Sequence, residues 1–178
     1  MIGYTSKSMT LSNVIITTTI FIITQIQTST ITTHTTYLGT SFVDTGMTCN
    51  ITPRSSSSVI LVHFYPCFSA SDNAYVAFRI YRDSTFIWAG NSSYSSGTGV
   101  ECTFGFSFHD EGNLKYSAPV MPVVAVDSPN TTSSTTYKLQ FSPMRTSNER
   151  VYLNRSHNLG DSNQFVGRST MTLTEVEA

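Results

Sequence analysis

Two adjacent acids, Asp110 and Glu111, are the residues that most invite a catalytic reading. Paired carboxylates do acid–base work when both face one substrate. Neighbours on a strand point to opposite faces, and Gly112 and Asn113 follow directly, so the pair reads as a solvated turn. His34, His63, His109 and His157 are far apart in the chain, with no His-Glu-x-x-His spacing to set two ligands on one helix face. Cys49, Cys67 and Cys102 sit on apolar stretches at unrelated intervals. An odd count without Cys-x-x-Cys argues against a disulfide framework or a zinc site and predicts buried free thiols. Neither a Gly-x-Ser-x-Gly elbow nor a phosphate-cradling glycine loop occurs. The sequence therefore predicts a non-enzyme, with no catalytic residue, no metal and no cofactor.

Recognition chemistry is better represented. Trp88, the single tryptophan, follows Phe86 and Ile87 near a hairpin end. It could stack on a sugar face, but the favoured expectation is core or subunit interface. Tyr65, Tyr94 and Tyr116, with Tyr75 and Tyr81, form a tyrosine set suited to interfaces. Arg79 and Arg82 fall on opposite faces of one strand, and Arg79 is expected to pair with charge in its hairpin. Asn-x-Ser/Thr triplets at Asn50, Asn91, Asn130 and Asn154 are about what ten asparagines give by chance in so Ser/Thr-rich a chain.

Charge excludes other classes. Only 12% of the 178 residues are charged, the net charge is −1, and the basic residues are scattered. No stripe of cations exists to follow a phosphate backbone, so no nucleic-acid partner is expected. The stretch "NVIITTTIFIITQI" is too short and too interrupted by threonine to cross a bilayer, and no small-residue cleavage site follows. It reads as β-structure, with no membrane insertion.

These residues must be carried by strands. Thr, Phe and Tyr are abundant, and no long segment has a 3.6-residue period. The stretch "VDSPNTTSSTTYKLQFS" shows the rhythm: a turn at Asp127-Ser128-Pro129-Asn130, then strict alternation through Tyr137, Leu139 and Phe141. Strands are predicted over 40–51, 59–66, 74–82, 85–90, 99–109, 119–126, 135–142, 150–155 and 168–176. Phe104, Phe106, Phe108, Leu139, Phe141, Met171 and Leu173 are expected to be buried. "VILVHFY" is apolar on both faces and should be central. Residues 1–36 differ: rich in Thr and Ile, with one Lys and no acid. They predict an extended β-arm, carrying Ile15, Ile16, Ile20, Ile22, Ile26 and Ile31, that pairs with another subunit or surface. A sandwich domain is expected over 37–178.

The segments "FVDTGMTCNITPRSSSSVILVHF", "AYVAFRIYRDSTFI", "DSPNTTSSTTYKLQF" and "VYLNRS…GRSTMTLTEV" resemble, in this order, a module of tailed-phage virion proteins found in tail-fibre C-terminal domains and other virion structural proteins. Ser84 stands where that module usually has a hairpin glycine. The resemblance covers roughly 40–176. It implies a jelly-roll-like antiparallel sandwich, commonly homotrimeric, on the virion surface, and no catalytic residues. Two roles follow as expectations. One is a capsid decoration (cement) protein held to the major capsid protein by its N-terminal arm. The other is a tail-fibre tip recognising a host surface glycan or protein. The chain shows no coiled-coil or repeat shaft of the kind tail fibres carry, which favours decoration.

Overall fold

A computed structural model describes residues 22–71, 74–87, 101–107, 117–144, 148–157 and 165–177. The described residues form strands and turns without a helix, and every strand pair is antiparallel. The chain is an all-β sandwich, as its alternation predicts.

The first sheet runs in the order β1 (Ile22–Ile31), β12 (Ser169–Glu177), β4 (Val59–Tyr65), β9 (Val123–Asp127). The second runs β3 (Val43–Ile51), β10 (Thr135–Pro143), β6 (Tyr75–Arg82), β7 (Thr85–Ile87), with β8 (Phe104–Ser107) also on β6. A small third sheet joins β2 (Thr35–Leu38), β11 (Arg150–Leu153) and β5 (Phe68–Ala70).

Period-two burial builds the core between the sheets. Met47 and Ile51 of β3, Tyr137, Leu139 and Phe141 of β10, and Phe78 and Ile80 of β6 face Ile60, Val62 and Phe64 of β4 and Met171 and Leu173 of β12. Leu139, Phe141, Met171 and Leu173 are buried as expected. Phe104 and Phe106 are only partly buried: they pack against the core from β8, Phe104 stacked on Phe78 at 4.4 Å. Phe108 lies outside the described residues.

The β6–β7 hairpin survives the lack of glycine because Asp83 takes the left-handed conformation, φ 51°. Aspartate tolerates that region. Its N–H and carboxylate bond the carbonyl and N–H of Thr136, at 2.7 and 2.9 Å, tying the turn to β10.

The N-terminal segment departs from expectation. Residues 22–36, assigned by the sequence to an arm pairing with another chain, pair within their own. β1 lies antiparallel to β12 from Ile22↔Glu177 to Ile31↔Ser169, with a bulge between Ile23 and Gln25. The buried Asn154 side chain donates to the carbonyls of Ile31 and Thr33, both at 3.0 Å. Arg155 donates to the Thr36 hydroxyl at 2.5 Å. The expected boundary between 36 and 37 falls inside β2, where Thr36 and Tyr37 pair with Tyr152 and Val151. A period-two pattern states that a strand needs a neighbour, not whose strand that neighbour is.

Candidate functional site

The ionisable groups come first, because they decide whether the sandwich carries chemistry. Asp127 and Glu175 both point inward from the first sheet, in one register row with Ile60 between them. Arg82 of β6 bonds both carboxylate oxygens of Asp127 at 2.8 Å, and the buried Tyr137 hydroxyl donates to the same group at 2.7 Å. Burial and the Asp127 carboxylate push the Tyr137 phenol well above its usual range, so it stays protonated. This cluster fastens the first sheet to the second.

Glu175 is fully buried. It accepts from the Gln25 amide and from the backbone N–H of Arg54, both at 2.6 Å. Burial raises its pKa, but hydrogen bonds from Ser58, Gln25 and the Arg54 N–H more than offset it, leaving it below the ordinary 4.5. Its work is to hold the 52–55 turn and β1 in place. On the outer face of the second sheet Asp44 meets Lys138 at 3.0 Å and Gln140 at 2.6 Å.

Arg79 does not make the expected hairpin charge pair. Its guanidinium lies 3.8 Å from the Phe42 ring centroid and 5.1 Å from that of Phe86, and Nε donates to the Glu101 carbonyl at 2.8 Å. The arginine reaches across the sheet surface to aromatic faces, which attract a cation.

Cys49 and Cys67 are buried, Cys102 is half-buried, and burial raises all three thiol pKa values. Such thiols are protonated at neutral pH and poor nucleophiles. Among the described residues no three His, Cys, Asp or Glu side chains are grouped to hold a metal ion. Asn154, nominally a glycosylation acceptor, is wholly buried with φ 60°. It also takes a hydrogen bond from Ser169 at 2.6 Å and is closed to a glycan.

A different feature distinguishes the molecule: the outer face of the first sheet. Directly paired residues share a face, so its rows can be read from the register. One row is Thr30, Thr170, Tyr65. The next is Thr28, Thr172, His63, Val124, and below it Ile26, Thr174, Leu61, Val126. The last is Ile23, Val176, Val59. None of these side chains is Asp, Glu, Lys or Arg. Ile23 and Ile26 are 60% and 57% exposed, Val124 and Val126 each 48%. Hydroxyl pairs Thr28–Thr172 and Thr30–Thr170 sit at 3.4 Å, and His63 Nδ1 is 3.4 Å from the Tyr65 hydroxyl. The second sheet turns Asp44, Lys138 and Arg79 outward instead. One face carries Asp, Lys and Arg side chains; the other carries hydroxyl, imidazole and aliphatic ones.

The face collects some of the residues singled out by sequence. Tyr65 stands exposed on it, Ile26 belongs to it, and Ile22 is 59% exposed at the end of β1. Ile31 instead packs against the core. Ile15, Ile16, Ile20, Trp88, Tyr94 and Tyr116 lie outside the described residues. Sequence reasoning missed the face as a unit, although "VILVHFY" held the signal: β4 is central, yet only its Ile60, Val62 and Phe64 face the core. Its second apolar side has no cover from the other sheet.

No family model matches the chain, and no curated protein matches it.

Proposed function

We propose that this chain is a non-enzymatic structural protein of a phage virion, a decoration protein that attaches to the shell through the open edge of β1. The observation that carries the attachment is β1 itself. It is a ten-residue edge strand with no charge and no proline, "IITQIQTSTI", and its outer edge is unpaired among the described residues. Natural edges of this length are normally guarded by charge, proline or a bulge. Here the guards are one bulge near its start and a cover supplied by assembly. An added strand on the partner would satisfy the free N–H and C=O groups, the mode of β-augmentation. The virion setting is supported by the segment resemblance. The absence of chemistry is supported by the described acids and bases, of which Asp127, Glu175, Asp44, Arg79 and Arg82 each hold a structural contact.

The test is co-sedimentation with particles lacking the native protein. Full-length chain should bind and stay bound in high salt, because main-chain pairing and isoleucine burial are little screened. Lysine at Gln27, whose exposed side chain lies on the Leu173 side of β1 and away from the outer face, is an edge guard that should weaken binding at least tenfold while leaving the fold intact. Binding unaffected by Gln27→Lys would place the anchor elsewhere.

A further inference from the structure

We infer that the uncharged outer face of the first sheet packs flush against the same face of a second copy of this chain. This goes beyond the attachment reading and does not depend on it: the attachment uses the main-chain edge of β1, the self-contact uses the outward side chains of all four strands.

Charge decides the partner. A protein surface is ordinarily studded with charged groups, and covering them with this face would strip their water and give nothing back. The face offers no Asp, Glu, Lys or Arg to pair with them. The chain's other outward sheet face, which carries Asp44, Lys138 and Arg79, is a poor match for the same reason. A copy of the same face meets it without stranding a charge. An isologous contact requires self-complementarity, and an uncharged, β-branched plane is self-complementary by composition. The threonine hydroxyls already lie beside one another at 3.4 Å, so covering them need not leave them alone. The Tyr65 hydroxyl likewise has His63 within 3.4 Å.

Size agrees. Four strands about 4.8 Å apart, each contributing about seven residues at about 3.3 Å, give a plane of roughly 19 by 23 Å, some 440 Å² before side-chain relief is counted. Stable interfaces take about 800 Å² of accessible surface from each partner, so this face suffices only if covered whole, as stacked sheets about 10 Å apart do. Exposed valines at Val124 and Val126 on one margin and isoleucines at Ile23 and Ile26 on the other mark a contact that reaches both sides of the sheet.

Sedimentation equilibrium of the full chain tests this. The expected species is a dimer whose dissociation constant changes little between low and high salt. Val124→Lys and Val126→Lys lie on β9, away from β1, and each should raise that constant at least tenfold. Val124→Thr, which keeps the shape and adds no charge, should leave it within about threefold. Unfolding curves of the lysine variants, matching the wild-type monomer, show that the fold is intact; if they do not match, Tyr65→Lys on β4 takes their place in the same measurement. A strict monomer overturns the inference. So does an oligomer, dimeric or the trimer implied by the resemblance, that survives the lysine substitutions. A dimer that appears only after deletion of residues 1–21 also overturns it, since the face would then be covered by the chain's own N-terminus. Loss of particle binding by Gln27→Lys with the dimer retained, or the reverse, separates the two contacts.

Discussion

Glu175 shows how a buried acid can stabilise without catalysing. Its folded pKa is held below 4.5 by its hydrogen bonds, so its contribution is fully present above the unfolded value. It is lost as pH falls from about 4.5 through the folded pKa. Glu175→Gln should cost about 1–3 kcal/mol near neutral pH, and the gap to wild type should narrow in acid; urea titrations at several pH values check both. Asp127→Ala removes the acceptor shared by Arg82 and Tyr137 and should cost about 2–4 kcal/mol by chemical unfolding, most of it from stranding partly buried partners. Gly167 is a third case. A Cβ there would stand 2.4 Å from the Cys67 sulfur. Gly167→Ala should therefore destabilise by about 1–3 kcal/mol, and adding Cys67→Ala should recover part of the loss in a double-mutant cycle. None of these roles was legible in the sequence, because each depends on a partner far along the chain.

At the scale of elements, alternation carried most of the fold. β3, β4, β10 and β12 bury every second residue, and the sequence places them within a few positions. β2 and β5, four and three residues long, are too short to show a period and escaped notice. β1 was legible as a strand, but its partner was not. That changes the truncation experiment. Deleting residues 1–36 would strip β1 from β12, remove Ile31 from the core margin and leave Asn154 without two acceptors. Such a fragment should unfold at markedly lower denaturant than the full chain. Burial also ranks the phenylalanines. Phe78→Ala should cost about 3–5 kcal/mol, and Phe106→Ala less, because Phe106 is only partly buried. Equal losses in thermal or chemical unfolding would contradict that ranking.

For the whole molecule, the two faces of the sandwich divide the labour. The second sheet wears ion pairs and cation–aromatic contacts, and the first wears threonine, valine and isoleucine. Hydroxyl-radical footprinting of dilute and assembled full-length chain reads this division directly, since aromatic and aliphatic side chains report their own solvent exposure. The predicted result is protection on assembly at Tyr65, His63, Val124 and Val126, with Tyr81 and Phe86 on the opposite sheet labelled as before. Protection of Tyr81 and Phe86 with Tyr65 and Val124 unchanged would contradict the account, because the charged face would then be the one that docks.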